Sequence, residues 1–393
     1  MPYYQLAFNK PFAPFYIYEH AKQLPLLIRV EAPLASRRYT ALLVKCAPEK
    51  EVQLLRERGV RIKSITRIVD TTPILTQEQY ELAQWMSTYY LASLGECLFT
   101  MIPSARREKE HDISELVLSH FTKENIVLSD EQQSSIDTML CAMRGSDAKL
   151  IDDENALKKK NAKNAHFYLH GATGSGKTEV FLQLAQKIIK HGGQVLYLVP
   201  EISLAYQAYP NMCERFGKEN VAILHSALTG SQRLREWKRI MNEEAKIILG
   251  VRSAVFAPTK NLQLIIIDEE HDTAYKSDTT PRYHARQIAL KRSFTTGAMV
   301  VMGSATPSLE SWNYIQNKGF IPLRLHKRAG GCESPTIELV SLQNVSGIIS
   351  PTLHKHMHKT LEQGFQVLLL INRRGFSRSF LCTSCGDVIS CPH

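Results

Sequence analysis

The sequence predicts an α/β protein whose largest part is a parallel β-sheet with helices on both faces. From residue 166 onward, short and nearly continuous apolar stretches alternate with helical ones, as in sheets that are buried on both sides. A glycine-rich loop, 171-GATGSGKT-178, follows the first of these stretches, at the strand end where such sheets bind ligands. The predicted strands are 166-HFYLHG, 194-QVLYLVP, 221-VAILH, 246-KIILG, 264-LIIIDEE, 298-AMVVMGS and 365-FQVLLLIN.

Composition indicates a soluble globular protein of two or three domains. The chain has 393 residues, of which 44% are hydrophobic and 22% are charged. The N-terminus lacks the charged-then-apolar pattern of a secretion signal, and no apolar run reaches membrane-spanning length. We therefore expect a cytoplasmic protein whose eight cysteines are thiols or metal ligands rather than disulfides. The net charge of +10 is suited to a polyanionic partner.

The glycine-rich loop has the full pattern of a phosphate-binding loop that opens a helix. Its glycines permit a tight backbone path that points consecutive N–H groups at a phosphate, beside the positive end of the helix. Lys177 can reach the β- and γ-phosphates, and the hydroxyl of Thr178 can ligate Mg²⁺. The predicted ATP-binding residues of the loop are Gly171, Ala172, Thr173, Gly174, Ser175, Gly176, Lys177 and Thr178.

About ninety residues later, an apolar strand ends in 268-DEEH-271, here called the acidic motif. Asp268 is placed to hold the same Mg²⁺, and Glu269 is placed to orient or deprotonate the attacking water. A solvated strand end is the alternative interpretation of this cluster. We assign His271 a coupling role because of its position beside the acidic pair. Together the two motifs predict a RecA-like lobe that couples nucleotide hydrolysis to motion.

Further polar segments at strand ends predict contacts with a nucleic acid. The segment 303-GSATPS-308 is similar to the helicase segment that links hydrolysis to the nucleic-acid groove, through Ser304 and Thr306. An ordinary polar strand-to-helix turn is the alternative. Arg252 and Ser253 lie in 250-GVRSAVFAP and are suited to phosphate contacts, which position a strand without reading its sequence.

The first 105 residues predict a small, mixed α+β N-terminal domain. Two β-like runs, 28-IRVEA and 40-TALLVKC, precede a helical stretch, 76-TQEQYELAQWMSTYYLASLGE. In that stretch the residues at helical spacing are predicted to pack in the core: Leu82, Trp85, Met86, Tyr89 and Tyr90.

These motifs resemble those of the PriA family of superfamily 2 DNA helicases. The resemblance rests on 170-HGATGSGKTEVFL, 199-VPEISL, 250-GVRSAVFAP, 268-DEEHD, 303-GSATPS and 371-INRRGFSR. It implies ATP-driven 3′-to-5′ unwinding of forked DNA during replication restart, with single-stranded DNA, primosome proteins and single-strand-binding proteins as partners. It also implies a 3′-end-binding DNA domain at 1–105, a linker at 106–127, a first helicase lobe at 128–325 and the start of a second lobe at 326–393.

The resemblance assigns DNA contacts to the segment 272-DTAYKSDTTPRYHARQIALKR, which is similar to the family's aromatic-rich loop. Tyr275 and Tyr283 would stack on bases, while Lys276, Arg282 and Arg286 would meet phosphates. A surface loop followed by a basic helix is the alternative.

The segment 128-LSDEQQ-133 is similar to the adenine-reading segment of such helicases. Gln132 could read the adenine edge, but Ser129 and Gln132 also form a helix capping box, and both roles are compatible.

The C-terminal segment 382-CTSCGDVISCPH-393 resembles the start of the family's two-zinc module. Cys382, Cys385 and Cys391 would be zinc ligands, but this set is incomplete, since tetrahedral zinc needs four. In the family the two cysteine pairs serve different zinc ions. We therefore expect zinc occupancy to be low.

The sequence departs from the family pattern in two respects. Only about 25 residues separate Pro103 from Ser129, too few for the family's winged-helix domain, which we expect to be missing. No segment of this sequence supplies the later motifs of the second lobe, including the arginine finger, which can contribute about three to five orders of magnitude in rate. The alternative to an active helicase is thus a nucleotide-gated DNA-binding fragment with little ATPase or unwinding activity. An RNA helicase disagrees with the acidic motif and the aromatic segment.

Overall fold

The computed structural model describes residues 1–11, 15–105, 127–144, 166–317, 319–328, 336–341, 349–370, 380–381 and 388–389. The chain forms two compact units, 1–332 and 333–393. The first unit contains both the N-terminal domain and the predicted helicase lobe. No helix of the described residues is long and apolar enough to cross a membrane.

The N-terminal domain is built on a mixed six-stranded sheet with the order β5-β2-β1-β4-β3-β6. Its longest strands, β3 and β4, form an antiparallel hairpin, and β4 also pairs with β1. The elements are β1 (Tyr3–Phe8), β2 (Tyr16–Glu19), β3 (Ile28–Leu34), β4 (Arg37–Cys46), α1 (Glu49–Glu57), β5 (Lys63–Ser64), β6 (Arg67–Ile68), α2 (Gln77–Tyr89) and α3 (Leu94–Met101).

The single helical stretch predicted from residue 76 is two helices. Thr76 caps α2 and Ser93 caps α3, each through a capping box with the glutamine or glutamate three residues later. Between them Leu91 adopts a left-handed backbone conformation with φ 52°, which a continuing helix cannot contain.

The second part of this unit is a parallel sheet of seven strands with the order β13-β7-β12-β11-β8-β10-β9. Its elements are α4 (Asp130–Arg144), β7 (His166–Gly171), α5 (Lys177–Lys190), β8 (Gln194–Leu198), α6 (Ile202–Phe216), β9 (Val221–Leu224), α7 (Gly230–Met241), β10 (Ile247–Gly250), β11 (Leu262–Ile267), α8 (Ala285–Thr296), β12 (Met299–Ser304), α9 (Leu309–Gln316) and β13 (Ile321–Leu325). Short 3₁₀ helices span Arg252–Phe256 and Thr273–Tyr275.

Successive residues of the central strands point to opposite faces of this sheet. In β8, Val195 and Tyr197 join one buried cluster, whereas Leu196 and Leu198 join another. Both faces are therefore covered, and the predicted parallel architecture is confirmed. Six of the seven predicted strands are present. The sequence interpretation missed β13, a short edge strand with alternating burial.

The N-terminal domain packs directly on the helicase lobe. The Nε1 of Trp237 donates to the carbonyl of Ile74 at 2.8 Å, and the amide of Gln79 donates to the carbonyl of Phe256 at 2.6 Å. Buried Arg292 forms an ion pair with Glu78 at 3.0 Å. Since α2, α3 and one face of the seven-stranded sheet share a buried cluster, the two domains form one compact unit.

In the second unit, α10 (Pro351–Glu362) begins at Ser350, whose side chain accepts a hydrogen bond from the N–H of Leu353. The strand predicted at 365-FQVLLLIN is wrong for residues 365–370, which contain no strand. A short antiparallel pair joins β14 (Phe380–Leu381) and β15 (Val388–Ile389).

Candidate nucleotide site and DNA-facing segment

The phosphate-binding loop connects β7 to α5, as the sequence predicts. Gly174 and Gly176 have φ values of 81° and 82°, a region that residues with a Cβ rarely adopt. A Cβ at position 176 would also collide with the side-chain amide of Gln132. The hydroxyl of Ser175 is buried and has no hydrogen-bond partner among the described residues. These features fit a phosphate group, which accepts hydrogen bonds from a loop of this shape.

Lys177 begins α5, and its side chain turns back over the loop. Its ammonium donates to the carbonyl of Gly171 at 2.9 Å and lies 3.4 Å from the carbonyl of Ala172. The side chain is buried, whereas Thr178 and the loop residues 172–174 are exposed. The cation thus lies where a phosphate on the exposed side of the loop would meet it.

Gln132 uses its side chain both for capping and for contact with the loop. Its Oε1 accepts from the N–H of Ser129 at 2.9 Å, and its N–H donates to the Ser129 hydroxyl at 3.3 Å, which confirms the capping box. Its Nε2 donates to the carbonyl of Ser175 at 3.0 Å. Because an amide nitrogen carries two protons, one donor remains for a ligand. The adenine-reading role stays a prediction.

Asp268 lies at the end of β11 and is held by two tyrosines that the sequence interpretation did not include in the nucleotide site. The Tyr197 hydroxyl donates to Asp268 Oδ2 at 2.9 Å and also interacts with the hydroxyl of Thr178. The Tyr275 hydroxyl donates to the carbonyl of Asp268 at 2.6 Å. Burial raises the pKa of Asp268, against the opposing effects of Tyr197 and Lys177. Tyr197 therefore lies close to both predicted Mg²⁺ ligands, Thr178 and Asp268.

Glu269 has a left-handed backbone conformation with φ 43°, which is unusual for a residue with a side chain. The Ser304 hydroxyl lies 3.4 Å from Glu269 Oε2 and 2.6 Å from His271 Nδ1. The same hydroxyl lies 3.1 Å from the carbonyl of Thr306 and 3.0 Å from its nitrogen. The structure thus brings the predicted coupling residues His271, Ser304 and Thr306 into one network with the Glu269 carboxylate.

Glu270 is a buried carboxylate whose role the sequence interpretation missed. It pairs with Arg286 and accepts from the Ser308 hydroxyl at 2.8 Å and the Tyr168 hydroxyl at 3.2 Å. Burial alone would raise the pKa of Glu270, but the hydroxyls of Ser311 and Ser308 and the charge of Arg286 lower it. Glu270 therefore ties the acidic motif to α8 and to the start of α9. The only signal in the sequence was an acidic residue between an apolar strand and a predicted basic helix.

Three of the predicted DNA contacts are buried in this structure. Tyr275 and Tyr283 are 1% and 3% exposed, so neither ring can stack on a base in this conformation. The Tyr283 ring packs edge-on against Phe256, with centroids 4.7 Å apart. Arg286 is occupied by Glu270 and cannot reach a phosphate. The stacking role is wrong for this conformation, because the rings complete the core beneath the segment.

The remaining predicted DNA contacts are at the surface. Lys276 and Arg282 are exposed, and the ammonium of Lys276 contacts the carbonyl of Arg282. Arg252 is partly exposed and donates to the carbonyl of Ala274 at 3.1 Å, which fixes the segment to the 3₁₀ helix after β10. Ser253 lies beside it and is half-buried.

The predicted zinc ligands Cys382, Cys385 and Cys391 lie outside the described residues, and their zinc site stays a prediction. Among the residues the structure does describe, no group of three or more histidine, cysteine or acidic side chains could hold a metal ion.

The N-terminal sheet carries a cavity of about 660 Å³. Its walls come from β1, β2, the β3–β4 turn, α1 and the segment before β5. The lining includes the rings of Phe15 and Tyr16, the basic groups of Lys45 and Lys63 and the carboxylate of Glu51. The Lys63 ammonium donates to the carbonyl of Ala35 at 3.2 Å. This combination of rings and cations suits a nucleotide.

Two family models and several known proteins are similar to this chain. The DEAD/DEAH box helicase family matches residues 132–313, and the 3′DNA-binding domain (3′BD) of PriA matches residues 5–103. The replication restart protein PriA of Treponema pallidum is 37% identical over 99% of this chain and 57% of its own length. The protein of the same name from Haemophilus influenzae is 32% identical over 94% of this chain and 58% of its own length. The chain thus spans somewhat more than half the length of these relatives. RecG bound to a three-way DNA junction is 18% identical and covers 81% of this chain and 39% of its own, with a TM-score of 0.43.

Proposed function

The chain belongs to the PriA family of replication restart proteins, and from that premise we propose that it is an ATP-dependent DNA helicase. It would move 3′ to 5′ along single-stranded DNA and start replication restart at stalled or branched forks, together with primosome and single-strand-binding proteins. The observation that carries the proposal is the convergence of Thr178, Asp268 and the Glu269–Ser304 network beside one phosphate-binding loop.

Each residue of the site has a separate task. The loop N–H groups and Lys177 bind the phosphates, while Thr178 and Asp268 hold Mg²⁺, which when bound neutralises charge on the transferring group. Glu269 orients a water molecule and accepts its proton. Because Ser304 contacts both Glu269 and Thr306, a shift of the segment 303–308 by DNA would move the Glu269 carboxylate. Through this contact, DNA binding would change the rate of ATP hydrolysis.

The N-terminal cavity is the proposed receptor for a DNA 3′ end. Its position inside the part of the chain that matches the 3′DNA-binding domain supports this assignment, as do its aromatic and basic walls. Anisotropy of otherwise identical labelled strands, one with a 3′-hydroxyl and one with a bulky 3′-blocking group, would measure the preference. Equal affinity for the two strands would contradict it.

The decisive experiment is phosphate release by this chain with and without single-stranded DNA, compared with Glu269→Gln. We expect DNA to stimulate hydrolysis in the wild type, and we expect the substitution to reduce turnover by about a hundredfold or more while ATP still binds. Glu214→Gln, an exposed carboxylate on α6, is the matched control and should behave as wild type. Wild-type turnover in Glu269→Gln would contradict the assigned role.

The same experiment decides between the helicase and the nucleotide-gated DNA-binding fragment. If the wild type binds ATP and DNA but releases no phosphate, the fragment is the correct description. Replacing DNA with RNA of the same length in the stimulation assay separates the DNA helicase from an RNA helicase.

A further inference from the structure

Four aromatic side chains form one surface where α2 of the N-terminal domain meets α8 of the helicase lobe. This surface, here called the aromatic ridge, consists of Trp85, Tyr89, Tyr90 and Phe294. Trp85 and Tyr89 lie one turn apart on α2, and their rings stack with centroids 4.8 Å apart and planes 20° apart. Tyr90 meets Tyr89 edge-on at 4.9 Å. Tyr89 is 56% exposed and Phe294 is 72% exposed, so the prediction that Tyr89 packs in the core is wrong.

Two lysines of the helicase lobe lie over the rings of the ridge. The ammonium of Lys291 is 5.7 Å from the Trp85 ring and 5.3 Å from the Phe294 ring. The ammonium of Lys276 is 5.8 Å from the Tyr90 ring. Neither lysine takes part in an ion pair with the residues described. The ridge therefore combines exposed ring faces with cations that form no ion pair with a carboxylate in the described part of the chain.

We propose that the aromatic ridge binds single-stranded DNA, with unpaired bases stacked on Tyr89 and Phe294 and with Lys276 and Lys291 at the phosphates. This inference rests on the proposed function and assigns it a binding site. Exposed aromatic rings interleaved with cations are the typical groups of sequence-tolerant single-strand binding, because every base has a face that can stack. A surface that docks an amphipathic protein helix would instead present a hydrophobic groove.

The ridge lies beside the segment that follows the acidic motif, so DNA bound there would contact the helicase lobe near its nucleotide site. The N–H of His284 lies 3.3 Å from the hydroxyl of Tyr90, and Lys276 belongs to the segment that leads away from the acidic motif. A strand on the ridge would therefore touch both the N-terminal domain and the segment that follows Glu270. The exposed ridge would take the stacking role that the sequence interpretation gave to the buried rings of Tyr275 and Tyr283.

The test is the affinity of the double variant Tyr89→Ala/Phe294→Ala for oligothymidylate, measured by fluorescence anisotropy. The oligonucleotide carries a blocked 3′ end, so that the N-terminal cavity does not contribute. Both side chains are largely exposed, so their loss leaves the fold intact. We expect binding to weaken about tenfold. Leu309→Ala, which removes a side chain that is 85% exposed on α9, should leave affinity unchanged.

A second probe separates stacking from charge. On an abasic oligonucleotide of the same length, the wild type and the double variant should bind equally, because no base is present to stack. If the double variant binds oligothymidylate as tightly as wild type, the ridge is not the site, and its exposed rings serve a protein partner instead. If the wild type binds no oligothymidylate at all, the proposed DNA function itself fails. Unchanged ATP binding in the double variant shows that the helicase lobe is folded.

Discussion

The nucleotide site and the segment that follows the acidic motif differ in how far their side chains can be predicted. In the nucleotide site, Lys177, Thr178 and Asp268 lie where their motifs place them, at the carboxyl ends of parallel strands. In the segment 272–286, the predicted stacking rings of Tyr275 and Tyr283 are buried. The sheet fixes the position of side chains at strand ends. The side chains of a connecting segment can point either into the core or into solvent.

The buried tyrosines show what the segment does instead. The hydroxyl of Tyr275 donates to the carbonyl of Asp268 at 2.6 Å and lies 3.1 Å from the carbonyl of Leu198, at the ends of β11 and β8. Burial and the neighbouring carboxylates raise the pKa of Tyr275, so the hydroxyl stays a donor. The segment therefore supports the backbone at Asp268, the predicted Mg²⁺ ligand, and the aromatic ridge supplies exposed rings nearby.

The largest expected effect tests the nucleotide side of this comparison. Lys177→Ala removes the only cation that contacts the loop carbonyls among the described residues, and we expect the affinity for a fluorescent ATP analogue to fall about a hundredfold or more. Lys187→Ala, an exposed lysine near the end of the same helix, should bind as wild type. Equal affinity of the two variants would show that the loop does not bind phosphate.

Motif spacing predicted the residues of the candidate nucleotide site but not the side chains that hold those residues in position. The capping box of Ser129 and Gln132 could be predicted because it depends on residues three apart. Tyr197 and Glu270 could not, because each acts through contacts with distant segments that no local pattern encodes. Strands buried on both faces were predicted from their apolar runs. The edge strand β13 was missed because the prediction relied on runs that are buried on both faces, whereas IPLRL exposes alternate residues.

A smaller effect is expected for the buried tyrosines of the segment 272–286. Tyr275→Phe keeps the ring but removes the hydroxyl that donates to the carbonyl of Asp268, so we expect the free energy of unfolding to fall by about 1–3 kcal/mol. Urea titration measures it. Tyr89→Phe, which removes an exposed hydroxyl on the aromatic ridge, should leave stability unchanged. If Tyr275 were instead an exposed stacking ring, both substitutions would be neutral, and the comparison between the two regions would fail.

The smallest expected effect concerns His284, which caps the start of α8 near the end of the segment 272–286. Its Nδ1 accepts from the N–H of Arg286 at 3.2 Å, a cap that requires a neutral imidazole. Burial, with Arg286 and Lys276 nearby, lowers the pKa of His284 to about 4, against 6.5 for the unperturbed group. The unfolded chain thus binds the extra proton between these values, so stability is complete above pH 6.5 and declines as the pH falls towards 4.

His284→Asn isolates this contribution, because asparagine caps a helix without titrating. Since the imidazole is partly exposed, we expect wild type to lose only about 1 kcal/mol more than the variant between pH 7 and pH 4 in urea titrations. His191→Asn, at an exposed histidine after α5, should keep the wild-type pH dependence. Identical pH profiles for the wild type and His284→Asn would mean that the start of α8 does not depend on a neutral imidazole. The segment would then be anchored to the lobe by its tyrosines, by the Glu270–Arg286 pair and by the contact of Arg252 with the carbonyl of Ala274.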